Sequence, residues 1–260
     1  MNQNILLLDL PNFIPKYEEG IYYSYKGKGG ENLKKLLTNT SNGYCMYCFS
    51  KILIDKKNFG ELEHSIEKFN SKYKLVNCPS NMAIACPTCN RSFKKKGEKD
   101  RKLSEEEIKE FESLECKSDC KESCSAYKKL RRIVKNKNEG EIILQPFGIK
   151  DEITQNEYST QYDVLNQKFI PSLKYNYNEE EKTFINKHIN RFNLNDSDYR
   201  TKEISIFCKD VVDYRTIPKK GRYSNFIVDL FIEKLVELKI DEAIQLCNLV
   251  YNYSVIKCKS

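Results

Sequence analysis

Cys45-Met46-Tyr47-Cys48 and Cys86-Pro87-Thr88-Cys89 are two CxxC knuckles with residues 49–85 between them. Thiolates from Cys45, Cys48, Cys86 and Cys89 suit a tetrahedral zinc site. Such a site alone holds a fold together and does no chemistry. The intervening segment adds to it, because it carries Glu63-His64, with one of the two histidines in the chain, and Asn81, while Asn90 follows Cys89 directly. An imidazole titrates near neutrality and can take a proton from water. A carboxylate and a side-chain amide offer oxygen ligands to Mg²⁺ or Mn²⁺, hard ions that keep waters and accept phosphate oxygens.

Taken in order, Cys45-x-x-Cys48, Gly60-Glu61-Leu62-Glu63-His64 and Asn81-Met82-Ala83-Ile84-Ala85-Cys86-x-x-Cys89-Asn90 resemble the motif of the HNH endonucleases, the ββα-metal or His-Me finger family. The resemblance implies a two-stranded hairpin and a helix that grip one catalytic ion. It makes His64 the general base and Glu63 and Asn90 the ligands of Mg²⁺ or Mn²⁺. Asn81 would hold the loop and orient His64 without touching the ion, and the four cysteines would take a structural zinc. Related motifs carry another histidine or asparagine later on the helix, where this chain has Arg91, Ser92 and Lys94, so two protein ligands plus phosphate and water are expected. Arg91, Lys94, Lys95 and Lys96 would then contact nucleic acid. The implied substrate is DNA, with RNA such as tRNA as the alternative within the same chemistry. A zinc-knuckle module that binds nucleic acid or a partner without catalysis is the third reading.

Outside the finger, Ile143-Leu144-Gln145-Pro146, Phe192-Asn193-Leu194-Asn195 and Tyr199-Arg200 are similar to segments of the HNH subunits of Septu-type and retron-associated anti-phage systems. That resemblance implies an ATPase partner and a role in bacterial defence. The chain departs from the family pattern after its histidine, where Ser65-Ile66-Glu67-Lys68 contains no proline.

The elements that must position these residues form an α+β chain with three parts: an entry segment over 1–43, a zinc-stapled finger over 44–103, and a mainly helical region over 104–260 that offers a partner-docking surface. The entry segment reads as aromatic Ile21-Tyr22-Tyr23-Ser24-Tyr25, a glycine-rich turn over Gly27–Gly30 and a short helix over Glu31–Leu37. Ser104 and Glu107 fit a capping box, which predicts a helix from Glu105 to about Glu115. Apolar periodicity predicts further helices over Lys182–Phe192 and Asn225–Lys239, and Asp241 can cap a last one to about Tyr253. His188 falls on the apolar face of the first of these and is expected to pack there.

The net charge of +7 suits a polyanionic partner, and cations concentrate over residues 91–102 and Lys128–Lys137. The opening Ile5–Leu8 run breaks at Asp9 with no basic segment before it, so no secretory signal is expected and a reduced, cytoplasmic setting follows. No apolar run approaches a membrane span. Cys116, Cys120 and Cys124 either line a second metal site, with Cys78 as fourth thiolate, or are incidental thiols. Cys208, Cys247 and Cys258 read as small apolar residues.

Overall fold

The computed structural model describes residues 5–71, 74–115, 124–137, 141–196 and 202–257. In chain order its elements are β1 (Leu7–Asp9), α1 (Gly27–Thr40), β2 (Leu53–Ile54), β3 (Lys57–Asn58), β4 (Glu61–His64), β5 (Met82–Ala85), α2 (Glu105–Ser113), α3 (Ser125–Lys137), β6 (Thr160–Asp163), β7 (Lys168–Pro171), α4 (Glu179–Arg191), α5 (Lys202–Tyr214), α6 (Phe226–Leu235) and α7 (Ile240–Lys257). Short sheets among helices make the fold α+β. No helix among the described residues is long and apolar enough to cross a membrane.

The chain forms two compact units whose limits differ from the three expected parts. One comprises Met1–Leu10, Thr160–Lys174 and Asn193–Ser260, and the other Pro11–Ser159 and Tyr175–Phe192. In the first, β1, β6 and β7 make an antiparallel sheet in the order β1-β6-β7, with Leu8 opposite Tyr162 and Tyr162 opposite Phe169. Helix α6 lies against β1, and α5 packs along α7. Phe207, Phe231, Leu235, Cys208 and Cys247 are fully buried in it. Cys208 and Cys247 thus serve as small apolar side chains, while Cys258, Tyr199 and Arg200 lie outside the described residues.

The second unit gathers α1, the paired strands β2-β3 and β4-β5, α2, α3 and α4. Helix α1 begins earlier than expected, because Gly27–Gly30 form its first turn and not a separate loop. A Cβ on Gly30 would stand 2.7 Å from the Tyr25 carbonyl oxygen, so the helix start presses on the 24–25 backbone at a distance only glycine permits. Helix α2 has its Ser104–Glu107 capping box and ends at Ser113. Helix α4 starts at Glu179, ahead of its apolar stripe, because Asn178 and Glu181 form a second capping box. His188 on that helix is buried, accepts a hydrogen bond at Nδ1 from the Ile143 amide at 3.0 Å and packs against Phe192. Burial pushes its pKa down to about 3.

Two helix ends also differ from the periodic reading. Helix α6 stops at Leu235, and α7 starts at Ile240 with Asp241 inside its first turn. The Lys239 amide donates to the Glu242 carboxylate, three residues on, which places the start of α7 ahead of Asp241.

Candidate functional site

Strands β4 and β5 form the antiparallel ribbon of the site, pairing Glu61 with Ala85, Leu62 with Ile84, Glu63 with Ala83 and His64 with Met82. Alternation along a strand sets Glu61 and Glu63 on one side and Leu62 and His64 on the other. The ribbon is seated closely: a Cβ on Gly60 would lie 2.7 Å from Ile84 Cγ1 and 2.6 Å from Ile52 Cδ1. Beyond β5 the chain enters a wide π turn over Thr88–Phe93, with the Lys94 amide bonded to the Cys89 carbonyl five residues back.

The thiols of Cys45, Cys48, Cys86 and Cys89 meet at the Ala85 end of this ribbon. Their sulfurs all lie within 4.8 Å of one another, and those of Cys48 and Cys86 are 3.7 Å apart. A tetrahedral Zn–S₄ site with bonds of about 2.3 Å has an S···S edge of roughly 3.8 Å. The cluster could therefore hold a structural metal such as zinc. It is built by local geometry: the Met46 amide bonds to the Ile84 carbonyl, which fixes the first knuckle to β5. The proposed second cluster is not described, since Cys116 and Cys120 lie outside the described residues; Cys78 is buried and Cys124 half-buried.

His64 stands at the far end of β4, about 10 Å along the strand from Glu61 at ~3.4 Å per residue. Its Nε2 is 3.1 Å from the Val76 carbonyl, and its ring lies edge-on to Tyr25 with centroids 4.4 Å apart. A carbonyl only accepts, so Nε2 carries the proton and Nδ1 keeps its lone pair. Burial holds its pKa below the ordinary histidine value; Lys68 and Lys94 act in the same direction, and the Val76 carbonyl opposes them.

Asn81, fully buried, clamps the turn that follows His64. Its Oδ1 accepts from the Ile66 amide at 2.8 Å and from the Tyr127 hydroxyl at 2.8 Å, its Nδ2 donates to the Ile66 carbonyl at 2.9 Å, and its own carbonyl accepts from the Ser65 amide at 2.7 Å.

Glu63 is buried and already engaged. Oε2 accepts from the Tyr47 hydroxyl at 2.7 Å, and Oε1 is 2.5 Å from the Lys94 ammonium. Burial raises its pKa, against the pull of Lys94 and Tyr47. The same ammonium donates to the His64 carbonyl at 2.6 Å and lies 3.5 Å from Glu67 Oε1, so three oxygens surround it. Arg101, also buried, binds Glu67 Oε1 through Nε at 2.7 Å and donates to the carbonyls of Lys94 and Lys96, bracing the chain from which Lys94 projects.

No protein-family model, curated protein or solved structure matches the chain significantly.

The structure brings five of the sequence-selected residues to one cavity, and Asn81, Arg91 and Lys96 are not among its lining. Glu63, His64, Asn90, Lys94 and Lys95 share one cavity of about 420 Å³ with Tyr25, Glu67 and Lys68. Within it the polar atoms of Glu63 and Asn90 face different partners, because the Asn90 amide donates to Glu61 Oε2 at 2.9 Å. Arg91 also binds Glu61. Burial raises the Glu61 pKa, but the hydrogen bonds from Arg91 and Asn90 outweigh it and hold the carboxyl below its usual value. Among the described residues the four thiols are the group of three or more metal-ligating side chains that converges on one point.

The expected row of phosphate contacts is corrected at Lys94. The residue is 5 % exposed and its ammonium is paired with two carboxylates, whereas Lys95 and Lys96 are exposed. The π turn closes its hydrogen bond over one residue more than an α-helix would, and Lys94 donates that bond. Sequence reasoning also missed Tyr47 and Tyr127. Tyr47 is one of the two spacer residues of the first knuckle, and an aromatic hydroxyl there was the available signal. Tyr127 reaches Asn81 over a sequence distance that no local pattern reveals.

Proposed function

We propose that the chain is an HNH-type endonuclease that hydrolyses phosphodiester bonds in DNA with the help of Mg²⁺ or Mn²⁺. The observation that carries this reading is the His64 imidazole, its Nε2 3.1 Å from the Val76 carbonyl, held on a ribbon end by the Asn81 clamp, in one cavity with Glu63 and Asn90. The ribbon followed by a helical turn, stapled by two knuckles, supports it further.

His64 takes a proton from the attacking water through Nδ1, and its Nε2–H stays on the Val76 carbonyl so that the ring keeps its tautomer as it gains charge. Asn81 keeps Ser65 and Ile66 from drifting and so holds the end of β4. Exposed Lys95 and Lys96 attract the polyanion and set its path. The products are 5′-phosphate and 3′-hydroxyl ends, as the resemblance implies.

A cation already stands beside the buried Glu63 carboxylate, the Lys94 ammonium among three oxygens, which supports a cation position there. Glu63 and Asn90 would hold the divalent ion, which when bound acts as a Lewis acid for charge developing on the phosphate. Lys94 then has to leave Glu63, and Glu67 is the carboxylate within its reach.

The test is cleavage of DNA and of tRNA by the purified protein in Mg²⁺ or Mn²⁺, with His64→Ala alongside and with a neighbouring ATPase, where one is encoded, as a further arm. His64→Ala is expected to lose roughly 10²–10⁴-fold in rate. The base must be neutral, and its pKa lies below the ordinary histidine value, so the rate should stay level through neutral pH and fall only in acid, below the ordinary histidine range. Equal cutting by the variant sinks the assignment of the base. Failure to cut either polymer, with metal bound and the fold intact, favours the binding-module reading, and preferential cutting of tRNA moves the substrate to RNA.

A further inference from the structure

Helix α3 carries Lys128, Arg131, Arg132 and Lys135, a spacing of three, four and seven residues that places all four on one face. This face and the 147–155 loop enclose a cavity of about 520 Å³, away from the His64 residues. Phe147 and Ile149 give it an apolar wall.

The charges of this cavity do not balance. Lys135 lies 3.4 Å from Asp151, and Arg132 lies 3.1 Å from Glu152. Asp151 is further occupied by the Tyr158 hydroxyl and by the amides of Ile153 and Thr154. Arg131 is only 6 % exposed, yet no carboxylate among the described residues lies within ion-pair range of it. Its Nη2 donates to the Leu144 carbonyl at 2.8 Å, its guanidinium lies 5.8 Å from the Tyr127 ring centre, and its buried Nε has no hydrogen-bond partner. A buried, unpaired cation is costly to a fold unless an anion completes it. Lys128, exposed at the same rim, adds a second charge.

We infer that this cavity binds a phosphate monoester, with Arg131 as its buried anchor and Lys128 at its mouth. A guanidinium fork matches phosphate oxygens, and the volume exceeds that of a bare phosphate, leaving room along Phe147 and Ile149 for a planar or apolar substituent such as a nucleoside. The source of the phosphate is either a free nucleotide or the 5′-end of a nucleic acid. Tyr127, whose ring centre lies 5.8 Å from the Arg131 guanidinium, is also the residue that bonds Asn81, so the cavity lies two side chains from the turn behind His64.

Calorimetry on the full chain with inorganic phosphate, AMP and a 5′-phosphorylated oligonucleotide, each against its unphosphorylated counterpart where one exists, tests the site. Arg131→Met keeps a side chain of similar length in the core, and Lys128→Ala changes an exposed residue that cannot unfold the protein. Saturable binding that falls about tenfold or more in Arg131→Met, and by a smaller factor in Lys128→Ala, is the expected result. Binding of AMP or phosphate identifies a free ligand; binding of the oligonucleotide alone identifies a nucleic-acid end. His64→Ala should bind as the parent does, which separates this site from the proposed hydrolytic one. No phosphate-dependent binding of any probe, or equal binding by both variants, overturns the inference.

Discussion

The two ends of the β4-β5 ribbon solve the problem of buried ligand atoms in different ways. At one end four thiols converge on a common point, where the Cys48 thiol also donates to the Ser50 hydroxyl and Cys86 Sγ accepts from the Cys89 amide. Towards the other, Glu63 is held by Lys94 and Tyr47, while Asn90, which follows Cys89, is held by Glu61, the partner of Ala85. A thiol is a weak hydrogen-bonding group and can wait in a core for a metal. A buried carboxylate cannot, because its charge needs a partner at once. The oxygen end is therefore closed by an internal cation, and any external cation has to compete with it.

The largest effect that can break this contrast is loss of the thiol cluster. Binding of a structural zinc by such a set contributes on the order of 10 kcal/mol at neutral pH, and that free energy is folding free energy. Cys89→Ser, or treatment with a strong chelator, should unfold the finger, seen as loss of the cooperative thermal transition. Elemental analysis should find a single zinc per chain. A second equivalent of zinc would bring Cys116, Cys120 and Cys124 back as ligands, and a fully stable metal-free protein would show that the thiols need no metal.

Lys94→Met comes next and converts the oxygen end towards the behaviour of the thiol end. It leaves Glu63 buried with only Tyr47 as partner, and removing one side of a buried pair costs about 3–5 kcal/mol. Denaturant titration reads this cost. Mg²⁺ or Mn²⁺ should restore much of it in the variant while changing the parent little, since only the variant offers a vacant carboxylate. If the ions stabilise both proteins equally, Glu63 is not where they bind.

Asn81→Ala probes the clamp between the two ends. It strands the Ile66 amide and carbonyl in the core, each at about 1–3 kcal/mol, and releases the Tyr127 hydroxyl. The thiol cluster should still bind zinc, because the first knuckle is fixed to β5 by its own backbone bond. Loss of zinc along with the turn would mean the ribbon ends are a single unit.

The thiol end was legible in the sequence because two knuckles state the ligand set locally. The Glu63-His64 pair, Asn81 and Asn90 were legible as types in order. Their partners were not: Lys94 lies 31 residues beyond Glu63, Tyr127 lies 46 beyond Asn81, and a π turn that follows no apolar period decides which way Lys94 points. The same limit applies to the fold. The capping boxes and amphipathic stripes of α2, α4 and α6 announce themselves, whereas β1, β6 and β7 are strands of three and four residues whose pairing joins the two halves of the chain. Helix α3 read as a run of cations because its buried residues, Ala126, Tyr127, Leu130, Arg131 and Val134, include an arginine where periodicity looks for an apolar side chain.

The smallest effect separates ligands held by the core from ligands held at the surface. Arg91 pairs with Glu61, but its side chain is 68 % exposed, so water and salt screen the attraction and holding the long side chain costs entropy. Arg91→Ala should change stability by less than about 1 kcal/mol, and raising the salt concentration should shrink that difference further. Its informative consequence is on Glu61, whose pKa should rise once the guanidinium is gone, because burial is then opposed by the Asn90 hydrogen bond and the Lys34 charge without Arg91. NMR titration of the Glu61 carboxyl measures that rise. If it occurs and stability holds, the Asn90 amide is kept from Glu63 by one hydrogen bond to Glu61, and Glu61→Gln is the next variant to compare for Mn²⁺ binding. A loss well above 1 kcal/mol would instead make Glu61, Asn90 and Arg91 a structural lock beside the thiol end.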